Sequence, residues 1–559
     1  MQLRENNIEK LDDRVFDVLI VGGGINGSVT VSALTSQGAQ VALIDRGDFA
    51  GQTSQESSNL IWGGIKYLEG FEFSLVRKLC RSRNHLLRSY PSTVKEIRFF
   101  VSLEKGFRKP RWMIWFGTLL YWLIGNFFTR RPRLLTRGDI ESDEGVVSLE
   151  NCVGGVEYSD AYLVDNDARF VFKFVREALD HGGILANYVS ALGSERKGDV
   201  WHTKARDEVS GREFVIRSKT LVNACGPYAD ALNGKSGVTT EHRHLFSKGI
   251  HLITRRITES KRVLTFFADD GRMFFVIPMG NKSCIGTTDT RVEHVPAEIT
   301  DEDRQFVLEN INKRLQLPSP LSDADIIAER CGVRPLVVKT ESQGNKGDWT
   351  SLSRKHEIDI DAAQAQLTIY GGKLTDCLNV GNEVTRALQR MGLKLPYGGF
   401  KWYGEPADEF RDEYFHQARL MRLDEMTSPE SSEMLSTRLW RRYAGRALGL
   451  LEDIRRDPRM AEVLIKGTEY IRCELYHAAK HEMVTHLEDF LRRRSKIALV
   501  ERTDFIRSAP GLREAARILF GDRAEAELAA YFGAVPPASP ASLAPPALQR
   551  EAEDQQAAY

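Results

Sequence analysis

The fold of this chain is decided by residues 16–49, FDVLIVGGGINGSVTVSALTSQGAQVALIDRGDF. Apolar residues predict a buried strand over 17–21 and a second one over 40–44, and the residues between them are compatible with a helix. Where the first strand would turn into the helix, glycines have the spacing G-x-G-x-x-G, and an acid follows the second strand; these residues are Gly22, Gly24, Gly27 and Asp45. This order of strand, glycine turn, helix, strand and acid is typical of a dinucleotide-binding fold.

Each of these residue types has a physical role in holding a dinucleotide. Gly22 permits a tight turn, Gly24 lets the backbone approach a pyrophosphate, and Gly27 lets the helix pack closely against the strand. The start of the helix offers free N–H groups and the positive end of its dipole to the phosphates. Asp45 can accept hydrogen bonds from a ribose hydroxyl. The motif alone does not distinguish FAD from NAD.

Composition limits the class of protein. A chain of 559 residues predicts roughly two or three domains, and its 42% hydrophobic and 28% charged residues are typical of a globular protein. The 77 basic residues balance the 77 acidic ones, which gives no support to a nucleic-acid partner. The seven cysteines form no C-x-x-C pair and fit the reduced thiols of a cytosolic protein. Residues 1–16 lack the apolar stretch of a secretory signal, and we expect little structure before the first strand.

Residues 46–70, RGDFAGQTSQESSNLIWGGIKYLEG, predict a loop followed by a helix. The loop contains hydroxyl side chains that can donate to phosphate or ring oxygens, namely Thr53, Ser54, Ser57 and Ser58. The alternative is a plain surface loop that caps a helix. Further along, residues 220–230, TLVNACGPYAD, predict a strand that runs into a turn of small residues around Gly226, where backbone can approach a bound group.

Residues 112–129, WMIWFGTLLYWLIGNFFT, contain no charged side chain and have basic residues on both flanks. Their number is close to the roughly 18–20 apolar residues that span a bilayer. Three structures remain open: an element at a membrane surface, a buried core helix, and a true span. We favour the surface element, because a span would place the glycine motifs before and after it on opposite sides of the membrane.

The second half of the chain changes character twice. Apolar stretches and turns alternate over residues 247–289 and predict a second sheet. Residues 366–380, QLTIYGGKLTDCLNV, predict a strand, a glycine turn and a helix that begins near Lys373, where a cation is unfavourable unless an anion is also present.

Helical periodicity then dominates from about residue 405 to 523 and predicts a helical domain. His477 and His481 are spaced i, i+4 there, but the pattern H-E-x-x-H is absent and we expect no metal. The Pro/Ala-rich residues from 533 onward predict a disordered tail.

With these segments placed, the sequence resembles the FAD-dependent glycerol-3-phosphate dehydrogenases, which are membrane-associated flavoproteins. The resemblance runs from residue 16 to about residue 500. The segments that carry it, in chain order, are VGGGINGS, DFAGQTSQESSNLIWGGIKYLE, KPRWMIWFG, LVNACGPYAD, KGIHLI, FFVIPMGNKSCIGTTDT, CGVRPL, LTIYGGKLTD and YIRCELYHAAKHEMVTHLEDFLRRRSKIAL. It implies FAD, oxidation of sn-glycerol 3-phosphate to dihydroxyacetone phosphate, and a membrane quinone as electron acceptor, with molecular oxygen in the oxidase branch.

The resemblance also implies an architecture of α/β and α+β type. A discontinuous, Rossmann-like FAD-binding domain would comprise residues 14–100, 150–245 and 330–392. A β-sheet substrate and membrane-proximal domain would comprise residues 101–149 and 246–329. A C-terminal all-helical domain would follow over residues 393–530, and a disordered tail over 531–559. The implied partners are a phosphorylated polyol, the quinone and the inner face of the cytoplasmic membrane, without nucleic acid; a homodimer is one assembly that the resemblance allows.

Residue by residue, the resemblance implies three sets of site residues. The implied cofactor-binding residues are Gly22, Gly24, Gly27, Asp45 (where the family commonly has Glu), Thr53, Ser54, Ser57, Ser58, Gly372, Lys373, Leu374 and Thr375, to which the small-residue turn adds Gly226. The implied substrate-binding residues are Lys66, Tyr67, Arg334 and Arg354, and the implied catalytic residues are His251, Arg334 and Lys373. Arginines suit a phosphate dianion because of their planar guanidinium donors, although a structural salt bridge is the alternative for Arg334. A histidine suits the acceptance of a hydroxyl proton, and a lysine near the flavin can stabilise negative charge on the reduced ring.

The chain departs from the family pattern at three positions near the expected flavin. The family usually reads S-S-K-L-x-H-G-G-L-R-Y where this chain has SSNLIWGGIKY over residues 57–67. Asn59 therefore replaces a lysine, Trp62 a histidine and Lys66 an arginine. These changes leave the flavin prediction intact but leave three other functions open: an oxygen-dependent oxidase, an enzyme for another polyol phosphate, and a flavin-binding membrane-surface protein without dehydrogenase activity.

Overall fold

The computed structural model describes residues 2–340 and 355–533. The strands are β1 Val15–Val21, β2 Val41–Ile44, β3 Leu60–Ile61, β4 Val94–Glu104, β5 Arg133–Leu135, β6 Cys152–Leu163, β7 Ile184–Ala186, β8 Val189–Lys197, β9 Val200–Asp207, β10 Glu213–Asn223, β11 His242–Arg255, β12 Val263–Phe267, β13 Met273–Met279, β14 Lys282–Gly286, β15 Thr290–Val292, β16 Ile326–Lys339, β17 Glu357–Asp361 and β18 Gln366–Tyr370.

The helices are α1 Gln2–Asp13, α2 Ile25–Ser36, α3 Phe73–Ser89, α4 Arg111–Ile124, α5 Arg137–Asp143, α6 Asp167–Asp180, α7 Ala229–Lys235, α8 Asp301–Arg314, α9 Cys377–Arg390, α10 Asp408–Leu420, α11 Leu435–Tyr443, α12 Ala447–Arg456, α13 Arg472–His481, α14 Ile497–Val500, α15 Thr503–Ser508, α16 Leu512–Phe520 and α17 Ala524–Phe532.

The first sheet is the predicted dinucleotide-binding sheet. Its strands lie in the order β17-β18-β10-β1-β2-β7, and β1 pairs in parallel with both β2 and β10. The apolar residues of β1 and β2 are buried almost throughout, as expected for parallel strands covered on both faces. Helix α2 connects β1 to β2 and packs against α6 and α9 over a shared apolar core. The Rossmann-like prediction is confirmed.

The second sheet is larger and mostly antiparallel. Its path runs β15-β11-β14-β13-β12-β4-β6-β3, with β16 paired to β11 and β5 paired to β6. Strands β4, β6 and β16 belong to this sheet, so the domain boundaries expected at residues 100, 150 and 330 do not coincide with the division between the sheets. The reason is pairing over long sequence distances: β4 pairs with β6 over residues 94–104, and its other edge pairs in parallel with β12.

Both ends of the described chain differ from the expectation. Helix α1 precedes the first strand, although little structure was expected there; its sequence is mostly polar and gives a weak amphipathic signal. The helix is held by its buried Arg4, which donates from Nε to the carbonyl oxygen of Asn187 at 2.9 Å and pairs with Asp207. At the other end, α17 runs to Phe532, so the tail boundary at 531 was placed too early. Residues 534–559 lie outside the described residues.

Residues 112–129 form helix α4 and a turn, and they are not a core helix. Trp112 and Phe116 are 63% and 62% exposed, whereas Thr118 and Tyr121 on the opposite side are buried. Within residues 2–340 and 355–533, no helix is long and apolar enough to cross a membrane. The helix therefore presents an apolar face outward while its other face contacts the second sheet.

Helices α10 to α17 form the C-terminal helical domain, and this domain is joined to the first sheet by buried ion pairs. Asp48, in the loop after β2, pairs with Arg493 at 2.7 Å and with Arg494 at 2.8 Å. Glu56, further along the same loop, pairs with Arg492 at 2.8 Å. These three consecutive arginines, which we call the arginine triplet, end the π-helical segment Asp489–Arg494.

Candidate functional site

The glycine turn between β1 and α2 has the geometry that a dinucleotide requires. Gly22 has a φ of +108°, and a Cβ there would lie 2.4 Å from the carbonyl oxygen of Ala224. A Cβ on Gly27 would lie 1.8 Å from the carbonyl oxygen of Gly22, so only glycine lets the helix pack this close. At Gly24 the nearest atom is Ser54 Oγ, at 3.3 Å. The turn is therefore closely packed at Gly22 and Gly27, and at Gly24 the hydroxyl of Ser54 lies against it.

Asp45 holds this turn from the end of β2. Its carboxylate accepts hydrogen bonds from the backbone N–H of Gly23 at 2.6 Å and of Gly47 at 2.9 Å. Burial raises the pKa of Asp45 to about 6, and the two backbone hydrogen bonds oppose that rise. Because a carboxylate offers about four acceptor positions, two remain for ribose hydroxyls. The sequence predicts only a ribose contact for Asp45, and its hydrogen bond to the glycine turn is an additional role.

The predicted hydroxyl loop is not a plain surface loop, because it connects three elements. Ser54 Oγ accepts a hydrogen bond from the N–H of Ile25 at 3.0 Å, at the start of α2. Thr53 Oγ1 donates to the carbonyl oxygen of Val333 on β16 at 2.8 Å, and the N–H of Ser57 donates to Asp167 at the start of α6 at 2.8 Å. Ser58 is half-buried beside them. The loop therefore fastens the second sheet to the glycine turn.

The second glycine turn, after β18, lies against the first one. Asn26 Nδ2 donates to the carbonyl oxygen of Gly371 at 2.9 Å, and the position of a Cβ on Gly372 would be 3.0 Å from Asn26 Oδ1. Thr375 Oγ1 donates to the carbonyl oxygen of Trp62 at 3.2 Å. Leu374 is half-buried between these contacts.

Gly226 lies in a short 3-10 turn on the other side of Ala224, the residue whose carbonyl oxygen faces Gly22. The predicted cofactor residues come from four separate stretches of sequence. They lie on or next to the two glycine turns, the hydroxyl loop and the turn at Gly226, which together we call the dinucleotide cradle.

His251 lies on β11 and is buried, yet neither of its ring nitrogens has a hydrogen-bond partner in the described part of the chain. Burial, together with the charges of Arg330 and Arg334, holds the pKa of this imidazole well below its usual range. The ring is therefore neutral at physiological pH and can accept a proton. Because burying a polar group without a partner is costly, these two nitrogens point to a missing ligand.

Arg334 lies on β16, next to the strand that carries His251. Its Nη2 donates to Thr287 Oγ1 at 2.7 Å and its Nη1 to the carbonyl oxygen of Thr288 at 3.2 Å. Asp289 lies 3.4 Å from Nη1, so the salt bridge that was the alternative role of Arg334 is present in the structure. These contacts fix the plane of the guanidinium beside His251.

Lys373 and Tyr67, two of the predicted site residues, are in contact: Lys373 Nζ donates to the Tyr67 hydroxyl at 2.6 Å. Lys66 is exposed on the 3-10 segment Ile65–Leu68, and within the described ranges its side chain forms no hydrogen bond or ion pair with the other predicted site residues. Neighbouring residues of a 3-10 helix point in different directions, so Lys66 cannot share the orientation of Tyr67. The predicted Arg354 lies outside the described residues.

Two further residues of this region are not among the predicted site residues. Asp167 anchors the hydroxyl loop, and Arg330 is completely buried beside His251. Arg330 and Arg334 are spaced i, i+4 on one strand, and that spacing, which places both on one face, was the available signal.

The chain is similar to known proteins over most of its length. The family model of FAD-dependent oxidoreductases matches residues 17–347, and a model described as the C-terminal domain of alpha-glycerophosphate oxidase matches residues 394–519. The chain is 30% identical over 508 residues to a glycerol-3-phosphate dehydrogenase of Pseudomonas aeruginosa, which covers 87% of this chain and 92% of that protein. It is 29% identical over 406 residues to an aerobic glycerol-3-phosphate dehydrogenase of Staphylococcus aureus, which covers 71% and 70%.

A solved structure shares the whole fold. The X-ray structure of the glycerol-3-phosphate dehydrogenase from Bacillus halodurans, complexed with FAD, superposes with a TM-score of 0.67 at 22% identity. The match covers 94% of this chain and 97% of that chain. The likeness therefore extends over both sheets and the helical domain.

Proposed function

We propose that this chain, which belongs to the family of FAD-dependent glycerol-3-phosphate dehydrogenases, oxidises sn-glycerol 3-phosphate to dihydroxyacetone phosphate and passes the electrons to a membrane quinone. The prediction of FAD rather than NAD is confirmed by the family. The observation that carries the proposal for the substrate is His251, a buried neutral imidazole with two unpartnered nitrogens beside the guanidinium of Arg334. A base and an anion-binding group at one place suit an alcohol that also bears a phosphate.

The site residues have separate roles in the reaction. His251 accepts the proton of the secondary hydroxyl while the C–H bond of the same carbon breaks and its electron pair leaves with the hydrogen as hydride. FAD, when bound, supplies the hydride acceptor. Arg334 orients the phosphate through its planar donors, and Lys373, fixed by Tyr67, places a positive charge at the start of the turn that the resemblance assigns to the flavin ring.

The electron acceptor is tested by reoxidation of the reduced protein. After anaerobic reduction with glycerol 3-phosphate, we expect a short-chain ubiquinone analogue in detergent to reoxidise the flavin much faster than air-saturated buffer does. Rapid reoxidation by oxygen with release of hydrogen peroxide would instead assign the oxidase activity. Reoxidation by neither acceptor would contradict the proposed electron path.

We also propose that the chain binds peripherally to a membrane, at the inner face of the cytoplasmic membrane, through the exposed face of α4. This face presents Trp112 and Phe116, and the neighbouring turn presents Phe71, which is 76% exposed. Basic residues flank the helix on both sides, as expected for a surface that meets anionic lipid headgroups; they are Arg108, Lys109, Arg111, Arg130, Arg131, Arg133 and Arg137.

Replacing Trp112 and Phe116 with serine is expected to weaken binding to vesicles of anionic lipid by at least tenfold. Burial of one large apolar side chain is worth roughly 1.5–3 kcal/mol, so two such residues supply more than this loss. Flotation of the purified protein with the vesicles measures the bound fraction. Phe410→Ser in α10 removes a phenylalanine of similar exposure from the helical domain and serves as the control. A wild-type protein that does not float would contradict the proposal.

A further inference from the structure

We propose that Arg330 supplies to the active site the positive charge that related sequences carry as a lysine at position 59, and that it stabilises the negative charge of the reduced flavin ring. The inference depends on FAD as the cofactor and not on the identity of the substrate. It concerns a residue that neither the motif nor the resemblance assigned.

Arg330 is a buried cation whose hydrogen bonds are incomplete. It lies on β16 and has no exposed surface. Its Nη1 donates to the carbonyl oxygen of Ser57 and, at 3.0 Å, to Asn59 Oδ1. Its Nε and Nη2 have no hydrogen-bond partner in the described ranges, and the carboxylate of Asp167 is 3.7 Å from Nη2. A guanidinium with two unsatisfied nitrogens in a dry site is costly unless a bound group accepts from them.

The position of Arg330 points to the flavin ring as that group. In the pairing of β11 with β16, Arg330 stands directly opposite His251, so their side chains leave the sheet on the same face. His251 also lacks partners for both nitrogens. The same face is covered by the hydroxyl loop, which Thr53 fastens to Val333 of β16 and Ser54 fastens to the start of α2. Two adjacent buried side chains with unsatisfied nitrogens therefore border one site, and that site adjoins the dinucleotide cradle.

The contact with Asn59 accounts for the departure from the family pattern. Asn59 is buried, and both ends of its amide are hydrogen-bonded: Nδ2 donates to the carbonyl oxygen of Asp165 at 2.8 Å, while Oδ1 accepts from Arg330. A lysine at position 59 would place a second cation against Arg330 in a desolvated site, which is strongly unfavourable. Asparagine at 59 and arginine at 330 are thus mutually dependent. The charge remains near the loop, but it comes from the second sheet instead.

The redox potential of the bound flavin tests this assignment. Arg330→Gln removes the charge and Arg330→Lys keeps it, with side chains of similar length. We expect R330Q to lower the preference for the reduced flavin about tenfold, which corresponds to about 30 mV for a two-electron couple. R330K is expected to retain the wild-type potential, and the double variant N59K/R330Q is expected to regain it.

Arg438→Gln is the matched control, because Arg438 is equally buried but lies in the helical domain, where it pairs with Glu474. A purely structural role of Arg330 predicts loss of thermal stability with no change in potential. Equal potentials for R330Q and R330K would therefore overturn the proposal, and so would failure of N59K to restore the potential of R330Q. If neither single variant retains FAD, charge is not the property that matters, and the proposal is overturned as well.

Discussion

Replacing His251 with glutamine is expected to slow the reduction of bound FAD by glycerol 3-phosphate by about 10²–10⁴-fold, the usual contribution of a general base. Glutamine approximates the size and polarity of the ring but cannot accept the hydroxyl proton. Since Arg334 and Lys373 stay in place, we expect little change in the substrate concentration at half-maximal rate. Stopped-flow absorbance under anaerobic conditions measures the rate constant directly.

The same histidine predicts an unusual pH profile. Its folded pKa lies well below the usual value near 6.5, so the free enzyme keeps the imidazole neutral as the pH falls from 8 to 6. We therefore expect kcat/KM to show no acidic limb from this group in that range.

His477→Gln is the matched control for both experiments. His477 is a mostly buried histidine of the helical domain, and burial lowers its pKa to about 3, so it is also neutral at physiological pH. Its replacement is expected to leave the rate of flavin reduction unchanged. A rate in H251Q within threefold of the wild type would remove His251 from the mechanism.

Replacing Asp48 with asparagine is expected to destabilise the protein by about 3–5 kcal/mol, because it leaves two buried arginines without their shared carboxylate. Asp48 is completely buried and lies three residues after Asp45. It accepts from Arg493 Nε at 2.7 Å, from both terminal nitrogens of Arg494 at 2.8 Å, and from Asn187 at 2.9 Å. These contacts hold the pKa of Asp48 below its usual value despite burial.

The substitution of Asp48 should also weaken the binding of FAD. The loop that contains Asp48 continues to Ser54, which caps the start of α2, and the N–H of Ala50 donates to the carbonyl oxygen of Gly23 at 3.0 Å. The arginine triplet of the helical domain therefore stabilises the glycine turn through this loop. We expect D48N to have a lower thermal midpoint and to lose FAD on desalting more readily than the wild type.

Asp199→Asn provides the comparison for D48N. Asp199 is fully exposed and lies 3.8 Å from Arg196, an ion pair of a kind that contributes about 0–1 kcal/mol. The D199N substitution should leave both the thermal midpoint and FAD retention unchanged. If D48N behaved like D199N, the helical domain would not stabilise the cofactor site through this contact. Because a depressed carboxyl pKa stabilises the folded state above the ordinary pKa, the Asp48 contribution should be lost only as the pH falls into the acid range below about 4.

Local patterns allowed much of this account to be predicted from sequence. The strand, turn and helix around Gly22 are specified within 30 residues, so the fold and the binding of a dinucleotide could be predicted there, whereas FAD was implied only by the resemblance of the whole chain. The surface position of α4 was also indicated by a single uncharged stretch with basic flanks. By contrast, β4 and β6 belong to the second sheet because of partners that are distant in the sequence, and no local pattern encodes that choice.

The direction of individual side chains was the second feature that could not be predicted from the sequence. Lys66 and Tyr67 are adjacent in sequence, but only Tyr67 meets Lys373, because the short 3-10 segment turns its neighbour outward. Arg330 was visible in the sequence beside Arg334, but its importance depends on burial and on its contact with Asn59 across 271 residues. The pairing of Asp48 with Arg494 spans 446 residues and was equally hidden. Such contacts are set by the packing of domains.

The central claim is that FAD in this chain is reduced by glycerol 3-phosphate, and anaerobic flavin spectroscopy tests it most directly. The purified protein is made anaerobic, glycerol 3-phosphate is added, and the absorbance of the oxidised flavin near about 450 nm is followed. We expect rapid bleaching of this band, with no bleaching by glycerol or by inorganic phosphate alone. A flavin that stays oxidised with glycerol 3-phosphate but is bleached by dithionite would contradict the substrate assignment while leaving the fold and the cofactor intact.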